Sequence, residues 1–187
     1  VPAAIMGIDL KRLLDNGVDM VQNGRQSIPY AANPMLMLGL VVGEAAKAGK
    51  NKLSFITEDF ASPLVPWLEQ LIAESSGKDG YGILSIANEP EIPVENYQSD
   101  RLFVYLKTNG SKQTRVDQLL KLGHSVISFV LEDSYQLGAE FYRWEYATAI
   151  ACARIGVNAF DQPNVQESKT IAKQKIAGYK KAGFIED

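Results

Sequence analysis

Arg101-Leu102-Phe103-Val104-Tyr105-Leu106 is the stretch on which the fold turns. It is nearly continuously apolar, which is how a strand covered on both faces looks. Working outward, residues 52–57 (with Leu53, Phe55 and Ile56), 82–87 (Ile83, Leu84, Ile86) and 125–131 read as further strands. Helical patterns stand between and around them at 8–23, 34–49, 62–76, 114–122, 134–155 and 164–182. Asn33-Pro34 and Ser62-Pro63 are expected to start helices, each as a side-chain cap followed by proline at the first helical position. Gly77, Gly123 and Gly156 are expected to stop them, and Asn164 with Glu167 forms a capping-box-like start for the last. Strands alternating with helices imply right-handed crossovers and a mostly parallel sheet. The expected architecture is an α/β three-layer sandwich with helices on both faces, built as a single domain over residues 1–187.

The 187 residues suffice for one domain with a real core. A hydrophobic share of 46% with 22% charged residues describes a globular chain, and the net charge of −3, with lysines and arginines spread out, argues against a nucleic-acid surface. No apolar run is long enough to span a bilayer and no signal-peptide pattern opens the chain, so neither a membrane nor a nucleic-acid partner is expected. The one cysteine, Cys152, lies in an apolar helical stretch and reads as a buried structural thiol in a reducing, cytoplasmic compartment. The chain opens at Val1 rather than methionine, which suggests a piece of a longer protein.

Two stretches bear on chemistry. In Trp67-Leu68-Glu69-Gln70-Leu71-Ile72-Ala73-Glu74-Ser75-Ser76-Gly77-Lys78, an apolar stripe of Val65, Leu68, Leu71 and Ile72 leaves Gln70 and Glu74, four apart, on another face. Glu74 falls in the last turn, where the helix dipole disfavours a carboxylate, as suits a base that takes and returns protons. Taken alone, it reads as one solvated carboxylate among many. In Asn158-Ala159-Phe160-Asp161-Gln162-Pro163-Asn164-Val165-Gln166-Glu167-Ser168-Lys169, a polar loop feeds a helix. Its first N–H groups, with Gln162 and Lys169, suit an anion or a sugar hydroxyl. Taken alone, this too is an ordinary helix start with a solvated lysine. Ligands of such sheets are expected beyond the carboxyl ends of the strands. No Gly-x-Gly-x-x-Gly follows a strand and no P-loop pattern exists, which removes support for a nucleotide cofactor. With His124 as the single histidine and no cluster at metal-ligand spacing, neither a zinc site nor a Ser-His-Asp triad is supported.

Together the two stretches resemble the glucose-6-phosphate isomerase family. Glu74-Ser75-Ser76-Gly77-Lys78 matches its Glu-Ser-x-Gly-Lys pattern, and Phe160-Asp161-Gln162 with Lys169 matches its C-terminal signature; Leu137-Gly138-Ala139 and Tyr142 also look like the family's preceding helix. The likeness covers nearly the whole chain, but only the second of the isomerase's two sugar-isomerase (SIS) domains. In detail it is most like the isomerase part of bacterial transaldolase–glucose-6-phosphate isomerase fusion proteins.

The resemblance implies interconversion of glucose 6-phosphate and fructose 6-phosphate through an enediol(ate). Glu74 would be the base, Gln70 and Gln162 would contact the substrate near its phosphate, and Lys169 would assist ring opening. It implies no metal or cofactor, an upstream SIS domain of the same protein as partner, and a homodimer. Three features depart from the pattern. No Gly-Gln-His-type segment carries the ring-opening histidine, and His124, just before a strand, fills either that role or a structural one. The signature reads Pro163-Asn164-Val165-Gln166 where the commonest form has glycine and then Val-Glu. The family's Gly-Gly-Arg segment and Ser/Thr-rich phosphate loop lie upstream of the matched residues, so the isolated piece is expected to fold but to isomerise little or nothing. The alternative is a non-catalytic SIS domain that binds a sugar phosphate or mediates dimerisation.

Overall fold

The computed structural model describes residues 1–25 and 27–184, apart from the side chain of Asn164. Two helices open the chain, α1 (Pro2–Ile5) and α2 (Leu10–Asn23), the second capped by Asp9, whose carboxylate accepts from the Arg12 N–H at 3.1 Å. In α3 (Pro34–Lys47) the expected cap forms: Asn33 Oδ1 accepts from the N–H groups of Met35 and Leu36 at 3.1 and 3.0 Å. There follow β1 (Lys52–Thr57), α4 (Leu64–Ser76), β2 (Leu84–Ile86), β3 (Arg101–Lys107), α5 (Gln113–Lys121), β4 (Ser125–Val130), α6 (Leu137–Ile155) and α7 (Pro163–Ala182).

The four strands form one parallel sheet in the order β2-β1-β3-β4, with Leu53 beside Leu102 and Ser85. Every residue of β3 between Arg101 and Lys107 is buried, because both faces of this central strand are covered. Leu102, Val104 and Leu106 point into the larger core, with Leu38 and Val42 of α3, Leu64, Leu68 and Ile72 of α4, and Trp144, Ala147 and Ala151 of α6. Phe103 and Tyr105 point the other way, to Val116 and Leu119 of α5 and to Val94 in a short 3-10 turn of the 88–99 loop. This is the expected α/β sandwich, with the thicker helical layer on one side.

Ser62 does not cap α4. A 3-10 turn at Asp59–Ala61 runs straight into the helix, so Ser62 already has helical backbone angles (φ −59°, ψ −40°) and cannot adopt the extended geometry of a cap. Its hydroxyl instead accepts from Thr57 Oγ1 at 3.2 Å. At the other end of the chain, α7 starts at Pro163, one residue before the expected cap, so Asn164 already lies in the first turn; its side chain is outside the described residues. Cys152 is buried, as expected.

Candidate active site

Because α4 returns antiparallel to β1, its last turn lies at the amino edge of the sheet, where β2 begins. Its inner face buries Leu64, Val65, Leu68, Ile72 and Ser76. Gln70 and Glu74 lie on the exposed side, with Gln70 Nε2 donating to Glu74 Oε1 at 3.0 Å. Ser76 ties the helix end to the sheet: its hydroxyl donates to the Ile72 carbonyl at 2.7 Å and accepts from the Ile83 N–H at 2.9 Å. Gly77 ends α4 without the left-handed backbone that a helix-stopping glycine usually takes. Its φ of −76° is not left-handed, but a Cβ there would stand 2.8 Å from the Ala73 carbonyl oxygen. The left-handed residues come two positions later, Asp79 (φ 53°) and Gly80 (φ 79°). They turn the chain so that Lys78 and Tyr81 exchange backbone hydrogen bonds of 3.1 and 2.8 Å.

The second stretch leaves α6 at Gly156 (φ 90°). Asn158 organises the loop that follows: its side-chain oxygen accepts from the Phe160 N–H at 3.0 Å and its amide nitrogen donates to Asp161 Oδ2 at 3.2 Å. Gln162 then occupies the cap position of α7 without making a side-chain cap.

Lys78 joins the two stretches. Its side chain is buried, its ammonium donates to the Asn158 carbonyl, and it pairs with Asp161 Oδ1 at 3.1 Å. Glu74, Gly77, Lys78, Gln162, Pro163 and Val165 thereby line a half-open cleft of about 190 Å³. Glu74 and Gln162, named from opposite parts of the chain, share one site, with Gln70 attached through Glu74. Lys169 is exposed on α7, two turns beyond Gln162, and does not line the cleft. His124 lines a separate cleft with Lys50, Glu95 and Tyr97, its ring edge-on to Phe103 at 5.4 Å. Sequence reasoning quoted Lys78 but gave it no task. The signal was a basic residue ending one motif and an acidic one inside the other, and only the tertiary fold shows that they meet.

The cleft lies at the amino edge of the sheet, not beyond the carboxyl ends of the strands. At the crevice expected there, where β1 and β3 lie side by side and the chain winds outward in opposite directions, the backbone donors are taken up by the protein's own Glu58. Glu58, just after β1, accepts from the Tyr105 hydroxyl (2.7 Å), from the N–H groups of Lys112 (2.6 Å), Gly110 (3.0 Å) and Asn109 (3.2 Å), and from Thr108 Oγ1 (3.3 Å). Burial pushes its carboxyl up, but the donors outweigh this and hold it at about 2. Burial and the bond to Glu58 push the Tyr105 phenol up to about 12. In the neighbouring cleft of about 160 Å³, Lys112 is paired with Glu91, and Arg115 donates to the Ile92 carbonyl and the Tyr97 hydroxyl, each at 3.0 Å. Those charges are spent internally, whereas Glu74 and Gln162 face open space. Among the described residues, no three His, Cys, Asp or Glu side chains converge to hold a metal, and no helix is long and apolar enough to cross a membrane.

No family model matches the chain. Over 96% of its length it is 24% identical to a protein named probable glucose-6-phosphate isomerase from Methanococcus maripaludis, covering 49% of that protein. Proteins named glucose-6-phosphate isomerase from Parabacteroides distasonis (23% identity, 98% of this chain, 50% of theirs) and Heliobacterium modesticaldum (27%, 90% and 47%) are similar to it as well. The chain spans about half the length of the curated relatives it matches. In fold it is similar to a hypothetical protein of Thermus thermophilus, with a TM-score of 0.73 at 20% identity over 94% of this chain and 52% of that one.

Proposed function

We propose that this chain is the base-bearing half of an aldose–ketose isomerase that interconverts glucose 6-phosphate and fructose 6-phosphate. The observation that carries the reading is the shared cleft of Glu74 and Gln162. Glu74, open to solvent on one side and held by Gln70, removes the C2 proton of the open-chain aldose. The C–H electron pair forms the C1–C2 double bond of an enediol(ate) as the C1 carbonyl oxygen takes up a proton or negative charge. Returning the proton to C1, as the C2 hydroxyl gives up its proton and its oxygen becomes the carbonyl, gives the ketose. Gln162 and Gln70 bind the substrate near its phosphate, and Lys169 reaches the sugar once the rest of the protein closes over α7. The names of the relatives support the substrate pair, and the motif resemblance implies a second, upstream SIS domain. That domain supplies the arginine and phosphate loop this half lacks. The same reading makes the isolated half nearly inactive and the parent a cytoplasmic homodimer. The motif details favour a parent that also carries a transaldolase part.

The placement of Lys169 and His124 outside the cleft favours a second reading, a non-catalytic SIS domain that binds a sugar phosphate or mediates dimerisation. Isomerisation by the full-length protein in D2O separates the two. Proton transfer through a base that exchanges with solvent leaves deuterium at C1 or C2 of the sugar phosphate. Neither turnover nor deuterium at those carbons would leave the binding-domain reading standing.

A further inference from the structure

One side chain, Lys78, bonds across the two halves of the cleft. We propose that Lys78 is a positioning residue: its ammonium latches the 158–161 loop to the end of α4 and so holds Gln162 against Glu74. This rests on the isomerase reading only for its kinetic consequence, since the latch itself is a matter of geometry.

Lys78 is 4% exposed, and a buried ammonium is costly unless it is paired. Its partners, the Asn158 carbonyl and Asp161 Oδ1, both belong to the loop that leads into α7. On its own side Lys78 is rigid: its N–H bonds the Ser76 carbonyl at 2.9 Å and the Tyr81 carbonyl at 3.1 Å, within the turn made by Asp79 and Gly80. The loop in turn is braced by Asn158, which bonds both Phe160 and Asp161, so a force on Asp161 is passed to its neighbour Gln162. The loop leads straight into α7. No described side chain of this 20-residue helix is buried, and Gln162 makes no side-chain cap. The contact spans two segments, with the ammonium buried and the Asp161 carboxylate 54% exposed, and its charge-assisted hydrogen bonds are stronger than neutral ones. Removing it frees Gln162 to drift from Glu74 while leaving the carboxylate itself in place.

The test uses the full-length protein as wild type, Lys78→Met, Lys78→Arg and Asp161→Asn, read by amide hydrogen exchange of residues 158–162 and by steady-state kinetics with fructose 6-phosphate. Lys78→Met is expected to speed exchange in the loop and to raise KM about tenfold, with the pH profile of kcat unchanged because Glu74 is untouched. Lys78→Arg, which keeps the charge, is expected to recover most of both. Should Lys78→Met fail to fold, Asp161→Asn breaks the same pair from its exposed side and is expected to show the same loosening and the same KM effect in smaller measure. Wild-type exchange in the loop of both Lys78→Met and Asp161→Asn, or an arginine variant as impaired as the methionine one, overturns the latch. A wild-type protein without turnover overturns the isomerase reading instead, and the exchange data then decide the latch by themselves.

Discussion

Glu58 shows what one carboxylate does when the backbone around it is already arranged for an anion. Five donors converge on it, and they come from β3 and from the loop that enters α5. Its folded pKa of about 2 lies below the ordinary 4.5, so its contribution to stability is present above pH 4.5 and is lost as pH falls from 4.5 toward 2. The full shift corresponds to roughly 3 kcal/mol. Glu58→Gln, which keeps the shape but not the charge, is therefore expected to lower stability at pH 7 by up to about that amount and to flatten the acid limb of a urea-unfolding series. An acid limb unchanged in the variant would contradict the assignment. Glu140 poses the opposite problem: it is fully buried, burial pushes its carboxyl up, and Arg143 Nε at 2.9 Å opposes this. Arg143→Ala is expected to cost about 3 kcal/mol by leaving that carboxylate without its cation, measured by chemical denaturation. Nothing in the local sequence distinguishes Glu58 or Glu140 from Glu74, because their surroundings are assembled from distant segments.

Helix contacts carry the second set of constraints. Gly138 sits where α6 crosses α2, and a Cβ there would overlap the Leu13 carbonyl oxygen. Gly138→Ala is expected to push the two helices apart and cost about 2 kcal/mol in urea unfolding, a large effect for one methyl group. The elements themselves were readable where periodicity and capping agree. The Asn33-Pro34 cap and the run of apolar residues in β3 were both foreseen, since each depends on residues close in sequence. The start and stop of α4 were not. Ser62 was absorbed by a preceding 3-10 turn, and the left-handed turn fell on Asp79 and Gly80 rather than on Gly77. Both depend on how the chain enters and leaves the helix, which a residue pattern does not record.

The molecule as a whole presents apolar surface that its own chain does not cover. Leu14 (64% exposed) and Val18 (53%) form a stripe along α2, with Ile171, Ile176 and Tyr179 exposed on α7. A polypeptide about half the length of its relatives that carries such faces is expected to self-associate when isolated. In sedimentation equilibrium the weight-average mass should rise with concentration, and Leu14→Lys with Val18→Glu should suppress this. A strictly monomeric isolated chain would contradict that reading of the surface. Of the residues singled out in the sequence, the fold brings Glu74 and Gln162 to one cleft, with Gln70 bonded to Glu74 beside it. The sequence pattern pointed to the carboxyl edge of the sheet, where a second cleft of about 160 Å³ lies beside Glu58, whereas Glu74 and Gln162 meet at the amino edge. The claim that Glu74 is the proton-transferring base is tested most directly by a coupled isomerase assay on the full-length protein, wild type beside Glu74→Gln. The expected result is interconversion of glucose 6-phosphate and fructose 6-phosphate by the wild type, and a loss of at least about a hundredfold in kcat in the variant, with its unfolding curve unchanged. A variant as active as the wild type would contradict it.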